Sequence, residues 1–254
     1  MKKILRVAAA CLAALPLAIV PLDAAQAAEL QILAGGALAE PLTELVAQFE
    51  KTSGHKLVFR YGTTPQLIEM IKSGTAFDLG VFPQDVLQDN AVRLQFVSGP
   101  ATNIARVGLG VAVRMSAAKP DISTPEALKR TLLSAESIAT IPASATGTQL
   151  LQVFDVLGIS EAMKPKTRVQ ATPAQIVQTV ADGKAELAVF LMNVLMAPGL
   201  DVAGPFPREL QREVVFTGAI AANSKQPEAA KAFINFLQSA AGAAVLKAKG
   251  LDPG

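Results

Sequence analysis

A strand that runs into a small-residue loop and then continues as a helix recurs along this chain. In the first example, residues 32–50, the apolar residues after the loop fall at i, i+3, i+4 and i+7, which is one face of a helix. A second such loop lies at 62–65 and a third at 144–148. Strands that alternate with helices pair in parallel, so we predict an α/β fold.

Each of these loops precedes a helix start, which presents unpaired N–H groups and the positive end of the helix dipole. Glycine lets the backbone approach a ligand closely, and hydroxyl side chains can replace the hydration shell of an anion. Serine and threonine are also ordinary helix caps, so one such loop alone would indicate little. The three loops together predict a ligand cleft lined by Gly35, Gly36, Ala37, Thr63, Thr64, Thr146, Gly147 and Thr148. Arginines at strand positions offer a rival way to recognise an anion, namely Arg60, Arg106 and Arg168.

The start of the chain has the pattern of a secretory signal peptide. Basic residues precede the apolar run 7–20, and an A-x-A cleavage site lies at 25–27. We therefore predict that residues 1–27 are removed and that the mature protein is periplasmic. Because Cys11 lies within the signal, the mature chain would contain no cysteine and would depend on its hydrophobic core for stability.

Basic and acidic side chains balance in the predicted mature chain, so its formal charge is near zero. Nucleic-acid binding requires clustered lysines and arginines to neutralise phosphates, so we expect no nucleic-acid partner. Beyond the signal, no apolar run is long enough to span a bilayer.

The order of elements predicts two lobes. After the long apolar strand at 106–114 the chain enters a second lobe, and the helix that begins at Pro227 is expected to pack back on the first. We assign residues 28–106 and 212–254 to lobe 1 and residues 107–211 to lobe 2. The segment 203–207 predicts a break in regular structure.

Residues that enzymes commonly use are scarce. His55 is the only histidine and lies at a helix-to-strand turn beside lysines, which is typical of a surface imidazole. No G-x-S-x-G or H-E-x-x-H motif is present. Asp78 could act as a catalytic acid or base, although a lone carboxylate at a strand start more often accepts backbone amides. We therefore predict a non-enzymatic protein without a metal or cofactor, with an exported enzyme that uses Asp78 as the alternative.

Several segments together resemble the molybdate-binding periplasmic proteins of ABC transporters, namely 32–38, 49–54, 62–67, 71–74, 77–79 and 178–188. The resemblance implies the fold of type II periplasmic binding proteins, in which two α/β lobes are joined by a hinge and hold the ligand in the cleft between them. It implies a molybdate-like or tungstate-like oxyanion as ligand, a membrane permease of an ABC transporter as partner, and closure by a hinge motion. We expect the protein to be a monomer.

The resemblance also implies which groups bind. That family holds its oxyanion with hydroxyls and backbone amides of the first two loops and of helix starts in the second lobe, commonly with a tyrosine. Thr63 and Thr64 match the second loop. Ala37 stands where the first loop usually has a serine, Pro173 at or next to an amide donor, and Leu191 near the tyrosine position.

These departures leave a different ligand open, such as a small organic acid. Tyr61, the only tyrosine in the chain, lies elsewhere in the sequence than the tyrosine of that family. The same fold also serves as the sensing domain of transcription regulators, but here the export signal occupies the place of the DNA-binding helices.

Overall fold

The computed structural model describes residues 27–254, so the predicted signal peptide lies outside the described residues except for Ala27. The described strands, in chain order, are β1 (Glu29–Gly35), β2 (Lys56–Gly62), β3 (Leu79–Pro83), β4 (Thr102–Arg114), β5 (Ile138–Thr140), β6 (Thr167–Val169), β7 (Leu187–Leu191), β8 (Leu200–Pro205), β9 (Glu213–Ile220) and β10 (Asp252–Pro253). The described α-helices are α1 (Ala39–Ser53), α2 (Thr64–Lys72), α3 (Asn90–Arg93), α4 (Pro125–Ser134), α5 (Ala145–Leu157), α6 (Ser160–Met163), α7 (Pro173–Ala181), α8 (Met192–Leu195), α9 (Pro227–Gln238) and α10 (Ala240–Ala248).

Each lobe is built around a small parallel sheet. In lobe 1, β1 pairs in parallel with β2 and β3, and in lobe 2, β5 pairs in parallel with β6 and β7. The long strands β4 and β9 run antiparallel to their neighbours and connect the order β2-β1-β3-β9-β4-β7-β5-β6. The predicted α/β fold with parallel pairing is confirmed, because the strand-loop-helix units bring the carboxyl ends of the parallel strands to one edge of each lobe.

Strand β4 passes from one lobe into the other. Its pairing with β9 ends at Gly108, opposite Glu213, and its pairing with β7 begins at Leu109, opposite Leu191. At this crossing the side-chain amide of Gln211 pairs with the backbone of Leu109: Oε1 accepts from the Leu109 N–H at 2.7 Å, and Nε2 donates to the Leu109 carbonyl at 3.0 Å. The change of partner within β4 supports lobe boundaries near residues 106/107 and 211/212, which we retain as a proposal.

The core explains why these segments form these elements. Every residue of β3 and β7 is buried, as expected for strands that are covered on both faces. The helices α9 and α10 follow β9 and pack on lobe 1, where the ring of Phe233 lies 5.0 Å from that of Phe49 in α1. The prediction that the C-terminal part returns to the first lobe is confirmed.

One prediction about regular structure is wrong in part. The segment 203–207 was predicted to break regular structure, but β8 continues through Pro205 and pairs with β4, and the break comes only at Phe206 and Pro207. The chain accommodates this because β8 pairs beside a register shift at Val111 and Ala112, and Gly204 adopts a φ of 152°. Among the described residues, no single helix is long and apolar enough to cross a membrane, and α9 and α10 meet that test only as a pair bent by 60°.

Candidate functional site

A cavity of about 710 Å³ lies between the two lobes. It is lined by the ends of parallel strands and by the starts of the helices that follow them, as the connectivity of an α/β fold requires. Four helix starts face it: α1 with the short 3₁₀ helix Gly36–Leu38 and α2 from lobe 1, and α5 and α7 from lobe 2. The positive dipole ends of these four helices therefore lie at one shared space, although α7 begins with Pro173, which has no N–H, and the first N–H of α5 already donates to Thr64 Oγ1.

The first loop brings the backbone to the cavity without a side-chain hydroxyl. A Cβ on Gly35 would lie 3.0 Å from Pro83 Cδ and 3.1 Å from Phe216 Cε1, so a larger residue there would force these side chains to move by a few tenths of an ångström. The cavity is also lined by Gly36 and Ala37. Their N–H groups open the 3₁₀ helix and have no partner within it, which leaves them available to an anion.

The second loop contributes hydroxyl groups. Thr63 N–H donates to Gln66 Oε1 at 2.8 Å, so this amide is engaged within α2. Thr64 Oγ1 accepts from the N–H of Ala145 in lobe 2 at 3.2 Å, which leaves the hydroxyl proton of Thr64 as a donor for a ligand. Both threonines line the cavity.

The third loop carries a hydroxyl group that a ligand can reach, on Thr146, and one that is used to cap the helix, on Ser144. Thr146 lines the cavity and is only 4% exposed, and its hydroxyl has no hydrogen-bond partner among the described residues. Ser144 Oγ is engaged as the cap of α5, since it accepts from Gly147 N–H at 2.9 Å and donates to Ile141 O at 2.7 Å. Thr146 is therefore the hydroxyl of this loop that a ligand can use.

Six of the eight predicted site residues line the cavity, and Gly147 and Thr148 do not. A Cβ on Gly147 would lie 2.2 Å from the carbonyl oxygen of Pro142, so this glycine serves close packing of the helix start. Thr148 is exposed and donates its hydroxyl to Ser144 O at 3.2 Å. Of the three residues predicted in the third loop, Thr146 alone lines the cavity.

Residues that sequence reasoning missed complete the lining. Asn193 at the start of α8 donates from Nδ2 to the carbonyl oxygen of Ala37 in lobe 1, at 2.7 Å. Thr172 caps α7 and accepts from Gln175 N–H at 3.3 Å. Asn193 follows a buried strand, as the three loops do, and that position was the signal that could have identified it.

Ionisable groups are few in the described lining, namely Glu40, Tyr61 and Lys249. Lys249 Nζ lies 2.7 Å from Glu40 Oε1, and this hydrogen bond raises the pKa of Lys249. Partial burial raises the pKa of Tyr61 to about 12, so its phenol is protonated at neutral pH and can donate. Arg60, Arg106 and Arg168 are not among the lining residues.

Asp78 and His55 lie away from the cavity, and each has a structural role. The Asp78 carboxylate accepts from Gln31 N–H at 3.0 Å, Ser224 Oγ at 2.9 Å and Lys225 N–H at 3.1 Å. His55 Nδ1 accepts from Ala28 N–H at 3.1 Å and so fixes the start of β1. Among the described residues, no group of three or more metal-ligating side chains comes together.

The sequence profile of the bacterial extracellular solute-binding protein family matches residues 30–252. An aconitate isomerase from a Pseudomonas species is 34% identical, covering 95% of this chain and 95% of its own. The molybdate-binding protein ModA of Azotobacter vinelandii is 29% identical, covering 89% of this chain and 91% of its own.

Among solved structures, the periplasmic molybdate-binding protein of Azotobacter vinelandii superimposes with a TM-score of 0.70 at 19% identity, covering 89% of this chain and 99% of that one. At this identity the likeness shows the fold, and it confirms the expected two-lobe architecture with an inter-lobe cleft. The sequence similarities confirm the resemblance to molybdate-binding proteins that the loop motifs indicated.

Proposed function

The chain belongs to the bacterial extracellular solute-binding protein family, and we propose that it captures a small anion between its lobes for uptake. In this proposal the protein acts in the periplasm as a monomer and delivers its ligand to a membrane permease of an ABC transporter. It binds its ligand without catalysing a reaction and needs no metal or cofactor. Hinge rotation about the β4 crossing would open and close the cleft.

The convergence of four helix starts on one cavity carries this proposal. Backbone N–H groups and dipole ends favour an anion, and threonine hydroxyls add donors without adding charge. The two charged residues in the described lining, Glu40 and Lys249, already pair with each other. An anion would therefore be held by neutral donors, which suits reversible capture.

A tetrahedral oxyanion such as molybdate or tungstate is the first candidate ligand. The similarity to proteins named as molybdate-binding supports it, as do Thr63 and Thr64 in the second loop. Against it, Ala37 and Pro173 line the cavity where that family would offer a hydroxyl and an amide, and Leu191 lies near its tyrosine position. Each missing buried donor weakens binding by about 1–3 kcal/mol, which is roughly 5- to 150-fold.

A small organic acid is the second candidate, with or without turnover, because a relative at 34% identity is named aconitate isomerase. A proton-transfer reaction would need a base at the cavity: Asp78 lies outside it, and the Glu40 carboxylate in the lining is paired with Lys249. Incubation of the protein with cis-aconitate, followed by proton NMR, tests for turnover. We expect no conversion to the trans isomer. Conversion above that of a heat-denatured sample would show that the protein is an enzyme.

Calorimetric titration of unfolded, ligand-stripped and refolded protein tests the binding proposal. The panel contains molybdate, tungstate, sulfate, phosphate and carboxylates. We expect at least one anion to bind more tightly than millimolar, and Thr146→Val to weaken that binding about ten- to a hundredfold by removing a hydrogen bond to charge. Thr148→Val, in the same helix turn but outside the cavity, is the matched control. The proposal fails if every anion binds more weakly than millimolar, or if both variants bind like the wild type.

A further inference from the structure

One side of the cleft is hydrocarbon. From lobe 2, Val177 on α7, Leu191 at the end of β7 and Val194 on α8 line the cavity. We call these three residues the apolar wall. Val177 and Val194 are partly exposed, whereas Leu191 is only 1% exposed. Water against such a surface is easily replaced by the carbon atoms of a ligand, whereas a bare oxyanion gains nothing from it.

The size of the cavity points the same way. An ion with four oxygens occupies about 120 Å³ if each oxygen takes roughly the 30 Å³ of a water molecule. The cavity measures about 710 Å³, so such an ion would share it with many water molecules that compete for the same hydroxyls and amides. Sites for organic ligands typically span about 300–1,000 Å³.

This volume belongs to lobes that are already in contact. Two hydrogen bonds cross the cleft, from Asn193 Nδ2 to Ala37 O and from Ala145 N–H to Thr64 Oγ1. Pro173 Cδ also lies 3.4 Å from the position that a Cβ on Gly36 would occupy. These contacts join the lobes, so the cavity of about 710 Å³ is the space that remains when the lobes already touch.

Of the two candidate ligands, we propose that the apolar wall favours the second, an organic carboxylate whose charged end lies at the helix starts and whose carbon chain lies on that wall. This inference rests on the proposed function, since it names the class of anion for the same cleft. The carboxylate oxygens accept from donors near Gly36, Thr64 and Thr146. The carbon chain displaces water from Val177 and Val194.

A homologous series measures the contribution of the wall. Ligand-stripped protein is titrated with straight-chain monocarboxylates from acetate to octanoate, with dicarboxylates from succinate to suberate, and with molybdate and tungstate. We expect the affinity to rise about fourfold for each methylene that reaches the wall, which corresponds to about 0.8 kcal/mol per buried CH₂. The heat capacity change on binding should become more negative along the series.

Val177→Thr is the matched variant, because it keeps the shape of the side chain and places a hydroxyl in the wall. It should reduce the gain in affinity per added methylene along the carboxylate series. Val156→Thr, on an exposed position of α5, is the control and should bind like the wild type.

Two outcomes overturn the inference: tighter binding of molybdate or tungstate than of every carboxylate, or an affinity that does not depend on chain length. If Thr146→Val still weakens oxyanion binding in the first case, the proposed function stands and only the ligand class is wrong. If no anion binds at all, the proposed function fails with it.

Discussion

The side-chain amide of Asn193 donates a 2.7 Å hydrogen bond across the cleft to the carbonyl oxygen of Ala37. The two residues are 156 positions apart in the chain and belong to different lobes. The oxygen of the same amide, Oδ1, is buried and has no hydrogen-bond partner within residues 27–254. The Nδ2 bond thus joins the lobes directly, while the unpaired oxygen limits how much it stabilises the joined state.

Replacing Asn193 with alanine should shift the protein toward open lobes. One net hydrogen bond contributes about 0.5–1.5 kcal/mol, so we expect ligand to dissociate about two- to tenfold faster. Stopped-flow measurement of the dissociation rate tests this, and small-angle scattering should show a larger radius of gyration without ligand. Asn223→Ala, on the exposed turn after β9, is the control. An unchanged dissociation rate in Asn193→Ala would show that the bond does not hold the lobes.

The sequence predicted the cleft from local features, and Asn193 shows where that reasoning stops. Strand-loop-helix units reveal which loops share a sheet edge, because side-chain periodicity and helix signals are local. Asn193 reaches Ala37 through the relative placement of the two lobes. Strand β4 sets this placement by pairing with β9 up to Gly108 and with β7, the strand before α8, from Leu109. No local sequence pattern encodes the angle between the lobes.

Within the third loop, helical geometry separates the residues that reach the cavity from those that do not. Successive residues of a helix turn by about 100°, so Thr148 points about 200° away from Thr146. The sequence indicated a hydroxyl-rich helix start but not the rotation of α5 about its axis. Lys249 and Glu40 were missed for a related reason, since they reach the cavity from α10 and α1 through packing within lobe 1.

Gln211 should be a stabilising residue of the hinge. Its amide takes the place of a neighbouring strand for Leu109, and Gly108 leaves room for it, since a Cβ there would lie 2.7 Å from Gln211 Cδ. Gln211→Met keeps the size but leaves the Leu109 N–H without a partner, so we expect a loss of about 1–3 kcal/mol in the free energy of unfolding. Urea denaturation measures it.

The control for the hinge is Gln152→Met, on an exposed position of α5 without a side-chain hydrogen bond among the described residues. It should change the free energy of unfolding by less than about 0.5 kcal/mol. Equal stability of the two variants would contradict a role for the Gln211 amide.

The phenol of Tyr61 should lose its proton at an unusually high pH. It is the only tyrosine and the chain has no tryptophan, so its phenolate absorbance can be read directly. Burial raises its pKa from 10.0 to about 12 in the folded protein. The neutral phenol therefore adds stability that is fully present below pH 10 and is lost as the pH rises from 10 to 12. Because the residue is 40% exposed, this contribution is small.

A spectrophotometric titration in buffer and in concentrated urea compares the two states. The midpoint should fall from about 12 to about 10 on unfolding, and Tyr61→Phe should show no transition. A folded midpoint near 10 would mean that the phenol is not buried at the cavity. The same side chain should report ligand binding by its fluorescence, because it lines the cleft.

Asp78 should matter for stability and not for binding or chemistry. Its carboxylate accepts three hydrogen bonds from Gln31, Ser224 and Lys225, and is only 8% exposed. In Asp78→Asn, an amide N–H would face one of these donors, so we expect the free energy of unfolding to fall by about 2–3 kcal/mol. Ligand affinity should remain within twofold of the wild type, since the cavity lies elsewhere.

Asp252→Asn, at an exposed residue of β10, controls for the loss of one charge. A variant with full stability and lost turnover of any substrate would instead support an enzyme that uses Asp78, because removing a catalytic carboxylate need not disturb the fold.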